Sequence, residues 1–462
     1  MKNFVNSFFE QVGCYIAIIF TILQFLGFFT NNIPVEAILV GFCIIPLRLI
    51  YLNRLKDASK NFARIYLWSG WDLSMVVCPT IFFDSYAGMV YKKIVGAETA
   101  ISPTDVSFTI YMGVFSLFLL FISSIWWRND RTPETDYTPA LTREQVIFWS
   151  IVLASIAFTS ALVSNIMGLG RFGEQSVYLP FKLTGIINYF SFGFTWFLNF
   201  FILDAFAKKR ISLIFAIGIV ILLTFNASAA SLSKGQLISP IAGIIIYLII
   251  TKKFTVGASM TMALLFAFVF IAASFLSGYR DSRQHIYTKG FGGEAANYSM
   301  MKYTHRIFSD GITFMKFHSN ATQQDLHTML KHWNYNVSDV HTYAIDGKPL
   351  ESTSTHSTGC VNLPAAYLFG FPFFIIFTML AGLAASYIDY GLPRSNSIFC
   401  STIFRVYAAY AIARVYIAVT ALELFTRAYN GSFAFISFPI ITIFFYIIYL
   451  KFFCTKIPNN DI

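Results

Sequence analysis

The stretch GCYIAIIFTILQFLGFFT, Gly13–Thr30, contains no Asp, Glu, Lys or Arg. An α-helix rises 1.5 Å per residue, and a bilayer core asks for ~20 predominantly apolar residues. The run is therefore long enough to cross a membrane. The chain starts Met1-Lys2-Asn3-Phe4, with no basic segment followed by a small-residue cleavage site. The run reads as a retained first span rather than a cleaved signal.

The same signal recurs along the chain. About twelve spans are expected, at roughly 13–30, 34–52, 63–83, 107–127, 145–167, 179–206, 211–230, 236–251, 257–277, 364–388, 398–422 and 433–453. The third is interrupted by Asp72 and Ser69-Gly70, and the sixth is long enough to tilt or break near Gly185. Composition agrees, with 56% hydrophobic and 12% charged residues against ~25% charged in a soluble domain. The expected fold class is an all-α polytopic integral membrane protein.

Basic residues of the short loops set the orientation. One alternating set holds Lys2, Arg54, Lys56, Lys60, Arg64, Arg128, Arg131, Arg143, Lys208, Lys209, Arg210, Lys252, Lys253, Arg394, Lys451 and Lys456. The opposite set holds only Lys92, Lys93, Arg171, Lys182, Lys234 and Arg427. The positive-inside rule assigns the richer set, and with it both termini, to the cytoplasm. The net charge of +10 thus marks orientation and not nucleic-acid binding. There is no internal repeat, no Gly-rich nucleotide loop and no sizeable cytoplasmic domain, so a nucleotide-dependent site is not expected. The six cysteines lie mostly in or at the ends of spans, with only Cys360 near the outer face. They include no CxxC and read as buried small hydrophobes.

The expected organisation is a membrane part over residues 1–277, a polar segment over 278–362 and a second membrane part over 363–462. The polar segment faces away from the cytoplasm. It carries all seven histidines, eight Lys/Arg and seven Asp/Glu. Long loops without structure of their own are uncommon and usually functional. Within it, Tyr298, Met301, His305, Phe308, Ile312 and Met315 recur at spacings of three and four, which predicts an amphipathic helix over 294–317. A second short helix is predicted over 325–333. The histidine spacings, five from His327 to His332 and nine to His341, match no metal-ligand pattern. One His or carboxylate could instead serve as acid–base or hydrogen-bond sugar hydroxyls.

The outward loops place their few cations beside small residues at membrane exits. They read Gly168-Leu-Gly-Arg171-Phe-Gly-Glu174, then Ala229-Ala-Ser-Leu-Ser233-Lys234-Gly235-Gln236, then Ser277-Gly278-Tyr279-Arg280-Asp281-Ser282-Arg283. Small residues let backbone N–H groups approach a phosphate, and Arg offers a planar bidentate donor. Lys234 stands where the eighth span begins and a helix N-terminus adds partial positive charge. The pattern suits an oxyanion or diphosphate; the same residues could also be ordinary interfacial anchors to lipid headgroups. Inside the spans, Asp72 and Arg414 lie near mid-membrane, where a charge marks function unless the two simply pair. Arg48 and Arg405 lie nearer the cytoplasmic ends and read as structural.

In layout, and locally between Arg171 and Phe374, the chain resembles the Wzy-type O-antigen and enterobacterial-common-antigen polymerases. RFGEQSVYLPFKLTGIINYF (Arg171–Phe190) resembles that family's arginine-bearing third periplasmic loop. SLSKGQLISPIAGIIIYLI (Ser231–Ile249) is similar to its small–cation–Gly entry into an apolar helix. YTHRIFSD (Tyr303–Asp310) and HSTGCVNLPAAYLFGFPFF (His356–Phe374) resemble an arginine segment of the large loop and the return into the membrane.

The resemblance implies a GT-C-like membrane glycosyltransferase in a bacterial inner membrane. It would need neither metal nor nucleotide nor other cofactor. It would join undecaprenyl-diphosphate-linked oligosaccharide repeat units at the periplasmic face and release undecaprenyl diphosphate. The expected diphosphate-binding residues are Arg171, Lys234, Arg280 and Arg414. The expected catalytic residues are Arg280, Arg283, Arg306 and His356, of which Arg306 and His356 would hold the acceptor glycan or contribute acid–base chemistry. Expected partners are the lipid-linked oligosaccharide, membrane lipid, and a chain-length regulator and flippase of the same pathway, with no nucleic acid. Two other readings fit the layout: an O-antigen ligase, which differs in acceptor, and a lipid-linked oligosaccharide flippase or transporter.

Overall fold

The computed structural model describes residues 7–88, 90–94, 97–125, 136–139, 142–169, 183–188, 209–231, 244–251, 371–391 and 454–457, with isolated positions between and beyond these. They are overwhelmingly helical. Among them, five helices are long and apolar enough to cross a membrane: Val12–Thr30, Val35–Arg54, Pro103–Ser124, Arg143–Met167 and Phe374–Gly391. These answer to the first, second, fourth, fifth and tenth expected spans. The apolar helix Ile214–Ala230, at the seventh, is shorter. The sixth and eighth expected spans are described in part, with helix over Leu183–Asn188 in the one and over 244–250 in the other; the ninth, eleventh and twelfth, and both helices predicted in the polar segment, lie wholly or largely outside the described residues.

Chain contacts divide the protein into two units interleaved in sequence. One comprises Met1–Asp130, Lys302–Gly391 and Ala411–Ser432; the other comprises Arg131–Met301, Leu392–Tyr410 and Phe433–Ile462.

The first unit opens with a helical hairpin, α1 (Val12–Thr30) and α2 (Val35–Arg54). α1 is patterned inside out. Gln24 is buried and bonds the Gly41 carbonyl of α2 through its Nε2 at 2.9 Å. Ile18, Ile19, Ile22, Leu26 and Phe29 are exposed, Phe29 to 85%. A stripe of that kind is costly in water and natural against lipid.

The third expected span is a chain of helical pieces: α3 (Ala58–Asp72), a π-helical turn (Leu73–Val77), α4 (Cys78–Ile81) and α5 (Phe83–Tyr86). α3 is capped by Asp57, whose carboxylate accepts the Ser59 N–H at 2.9 Å, and is kinked at Asn61 (φ −124°, ψ 27°). The irregularity expected around Ser69-Gly70 and Asp72 takes the form of the π-turn that follows Asp72.

Asn31 and Asn32, between α1 and α2, lock onto the far end of this chain. Asn31 Nδ2 donates to the carbonyls of Thr80 (3.2 Å) and Ile81 (2.9 Å). Asn32 donates through its backbone N–H and its amide to the Asp84 carboxylate. α6 (Pro103–Ile125) packs closely on the π-turn. A Cβ added to Gly113 would meet the Met75 carbonyl oxygen at 2.7 Å, so only glycine permits this approach. α10 (Phe371–Ser386) continues into a second π-turn (Tyr387–Gly391) and stacks Phe371 and Phe374 on Phe115 of α6.

The second unit contains α7 (Arg143–Met167), α8 (Leu183–Asn188) and α9 (Leu213–Ser231). α7 begins with a reciprocal capping box between Thr142 and Gln145 and ends at Gly168, φ 68°. α7 and α9 meet through small side chains, with Ala161, Ala227 and Ala230 in one buried cluster. Asn226 Nδ2 donates to the Phe158 carbonyl at 2.9 Å, a bond worth ~0.6 kcal/mol on average between membrane helices.

The helical fold carries two short antiparallel ribbons: β1 (Val90–Ile94) with β2 (Ala97–Ala100), and β3 (Asp136–Pro139) with β4 (Cys454–Ile457). Segments outside a bilayer must still pair their backbone groups, and short strands do so without an apolar run that hydropathy would register.

Candidate functional site

The residues singled out for diphosphate binding and catalysis, namely Arg171, Lys234, Arg280, Arg283, Arg306, His356 and Arg414, lie outside the described residues. Two elements lead toward them in sequence. α7 terminates at Gly168, three residues before Arg171, and the described part of α9 runs to Ser231, three residues before Lys234.

The described residues bring together two buried charge clusters, both in the first unit. In one, Arg48 of α2 grips Asp72 of α3 through two bonds, Nε to Oδ2 at 2.5 Å and Nη2 to Oδ1 at 2.8 Å. Both side chains are fully buried. Arg48 Nη1 also donates to Thr21 Oγ1 of α1 at 3.3 Å. Pairing Asp72 with Arg414 is thereby corrected: the carboxylate is occupied by Arg48, presented by the neighbouring helix of the same bundle. A bidentate guanidinium–carboxylate pair neutralises two charges that would each be expensive in the membrane interior.

The second cluster ties α10's end to α3's beginning. Asp389 lies in the second π-turn, and its carboxylate accepts the backbone N–H groups of Ala63 (3.1 Å) and Arg64 (3.0 Å). These N–H groups follow the Asn61 kink and lack a normal helical start, so Asp389 caps α3 from a remote part of the chain. Arg64 Nε stands 3.4 Å from Asp389 Oδ2 as an ion pair, without a hydrogen bond at that nitrogen. The guanidinium stacks over the Tyr390 ring at 3.9 Å and donates to Asn61 Oδ1. The Tyr390 hydroxyl donates to the same Asn61 oxygen at 2.7 Å, and Asn61 Nδ2 donates to the Leu55 carbonyl. One kinked residue thus collects contacts from the α2–α3 turn, from α3 and from the π-turn that follows α10. Trp68, one turn past Arg64, packs its ring 4.5 Å from that of Tyr51.

Sequence reading did not single out Asp389. Its signal is an acidic residue two positions before Gly391 at the end of an apolar run, in SYIDYG. Arg48 was read as structural, and its saturated pairing with Asp72 fits that reading.

Both clusters have their carboxylates engaged by guanidinium or backbone N–H groups. Neither offers a free base or nucleophile. Their chemistry is positional: they hold α1, α2, α3 and α10 in one register. Among the described residues, no three His, Cys, Asp or Glu side chains come together as a metal site, and all seven histidines fall outside these residues.

No protein-family model matches the chain, and no curated protein or solved structure matches it.

Proposed function

We propose that this protein polymerises lipid-linked oligosaccharide repeat units at the outer face of a bacterial inner membrane and releases undecaprenyl diphosphate. The observation that carries the reading is the set of three outward loops that place Arg171, Lys234 and Arg280 beside Gly or Ser at membrane exits, next to a polar segment of about 85 residues.

In this reaction an acceptor hydroxyl attacks the anomeric carbon of the donor sugar. The bond from that carbon to the diphosphate oxygen breaks, and the hydroxyl proton passes to a base. The leaving diphosphate gains negative charge as the bond opens. Arg171, Lys234, Arg280 and Arg414 would stabilise that charge, as preorganised donors do in other group transfers. Arg283, Arg306 and His356, in or beside the polar segment, would hold the acceptor glycan or take the proton.

Two tertiary pairings support the orientation the reading needs. β3 lies beside β4, so residues 136–139 and 454–457 belong on one side of the membrane. Asp389 lies against Ala63 and Arg64. The chain then crosses an even number of times within each interval. The sequence-read spans number eight in each, and the positive-inside count puts all four segments in the cytoplasm. The polar segment, one crossing before the end of α10, then faces outward.

The test is polysaccharide length in cells. Arg280→Ala or Lys234→Ala should reduce long chains to single repeats at unchanged protein level. Normal length in all such variants would overturn the assignment. A deletion strain separates the ligase: loss of a polymerase leaves lipid A-core capped with one repeat, and loss of a ligase leaves it uncapped.

A further inference from the structure

Among the described residues, most buried hydroxyls on helices are satisfied by the helix's own backbone, Ser69 Oγ of α3 being an isolated exception. Thr80, Ser150 and Ser386 donate to the carbonyl four residues back at 2.7, 2.7 and 2.8 Å. Ser116 donates three residues back at 2.8 Å. That is the ordinary habit of Ser and Thr in a membrane helix, where no water is at hand.

Thr224 and Ser228 of α9 break the habit. Thr224 is 7% exposed and Ser228 is 0% exposed, and neither Oγ has a hydrogen-bond partner. They stand four apart on one ridge, so their Cβ atoms are about 6 Å from each other. They lie to one side of the residues seen to meet α7. At 100° per residue they are roughly 60° and 100° round the helix from Ala227, on the side away from Ala230 and Asn226. Asn226, on the other flank, has its own partner in the Phe158 carbonyl. With a rise of 1.5 Å per residue, Ser228 is about 4–5 Å and Thr224 about 10 Å along the axis from Ser231. The sequence continues Leu232-Ser233-Lys234-Gly235.

We propose that Thr224 and Ser228 form a ligand subsite: their hydroxyls donate hydrogen bonds to the phosphate and first-sugar oxygens of a long-chain lipid diphosphate that approaches α9 from within the bilayer. The identity of the ligand rests on the function proposed above; the two unpaired hydroxyls do not. Neutral donors suit this depth. A cation would be costly in the membrane, whereas a hydroxyl can meet an anionic oxygen there without carrying charge of its own.

The test uses the full-length protein in nanodiscs, comparing it with Thr224→Val, Ser228→Ala and the double variant. Thr224→Val keeps the shape and removes only the hydroxyl function. Without ligand, the variants should melt at or above the wild-type Tm, because a donor with no partner has been removed. With undecaprenyl diphosphate added, the wild type should gain thermal stability. The apparent Kd of the double variant should rise about 10–100-fold, the loss expected for hydrogen bonds to a charged group. Cardiolipin and inorganic pyrophosphate are the other arms, and neither should distinguish the variants from the wild type.

Variants that melt below the wild type without ligand would show that the hydroxyls serve the fold, and would overturn the proposal. So would unchanged affinity for undecaprenyl diphosphate, or an equal loss toward cardiolipin or pyrophosphate. The two readings fail separately. Protein that binds the lipid diphosphate through these hydroxyls but does not extend repeat units would sink the polymerase and leave the subsite. A working polymerase whose KM is unmoved in the double variant would do the reverse.

Discussion

Asp389 caps the helix that carries Arg64, accepting that residue's backbone N–H at 3.0 Å across 325 positions of sequence while pairing with its guanidinium at 3.4 Å. The carboxylate acts twice: it starts a helix that its own sequence leaves kinked, and it neutralises a buried cation. α10 follows the polar segment in sequence, so this contact sets how the end of α10 sits against α3.

Asp389→Ala removes cap and counter-ion together and leaves Arg64 buried. The expected cost is about 3–5 kcal/mol, the range for breaking a buried pair from one side. It should be read as a large fall in Tm of the purified protein. Tyr390→Phe loses the bond to Asn61 and keeps the ring under Arg64, and should cost about 1 kcal/mol. An Asp389→Ala protein that melts with the wild type would contradict the remote cap.

Arg48 and Asp72 should behave as one unit. Arg48→Met or Asp72→Leu alone leaves an uncompensated charge in the membrane and should cost about 3–5 kcal/mol. The double substitution should recover most of that loss, since an apolar pair of similar volume needs no desolvation. A double-mutant cycle on thermal melts gives the coupling. Additive losses would mean that the two residues do not share their energy.

The β3–β4 pairing can be tested by cross-linking. Its register sets Thr138 opposite Thr455. In a background freed of native cysteines, Thr138→Cys with Thr455→Cys should form a disulfide on mild oxidation, because directly opposed strand residues lie about 4.5–5.5 Å apart at Cα. Thr138→Cys with Ile457→Cys, two positions out of register, should cross-link poorly. A membrane-impermeant thiol reagent should label both positions from the same side. Labelling from opposite sides would remove the even-crossing argument.

Gly113 allows α6 to approach the π-turn. Gly113→Ala places a methyl group against the Met75 carbonyl and should cost roughly 1–3 kcal/mol as an overpacking change. Gly113→Leu should prevent the bundle from assembling. Gly218 of α9, where an added Cβ meets nothing within 4 Å, is the control, and Gly218→Ala should leave Tm within a degree or two or raise it. Equal effects at the two glycines would argue against the close α6 contact.

Several features were legible in the chain because they are local. The runs near residues 13–30, 34–52, 107–127, 145–167 and 364–388 are helices where hydropathy put them, and the weakness of the third span is visible in Asp72 and Ser69-Gly70. Other features were not legible. Nothing near Asp72 in sequence names Arg48 as its partner: by depth Arg414 is the candidate, and Arg48 reads as lying nearer the cytoplasmic end. Asp389 looked like one acidic residue at a loop edge. β1 to β4 are too short and too polar to show a periodicity. Of the candidate site, the sequence offers cations placed beside glycines and serines, and these lie outside the described residues. The unpaired state of Thr224 and Ser228 could not be read from it, because most helical hydroxyls bond their own backbone and composition does not reveal the exceptions.

The sequence by itself determined that this is a helical protein built for a bilayer, because the length and polarity of each run must match the hydrocarbon thickness whatever its neighbours are. Tertiary structure alone decided which charges neutralise each other, where α3 is capped, and which hydroxyls remain unspent. Those outcomes depend on distances between helices far apart in the chain. A buried charge or hydroxyl in a membrane is tolerated or costly according to the one or two groups packed against it.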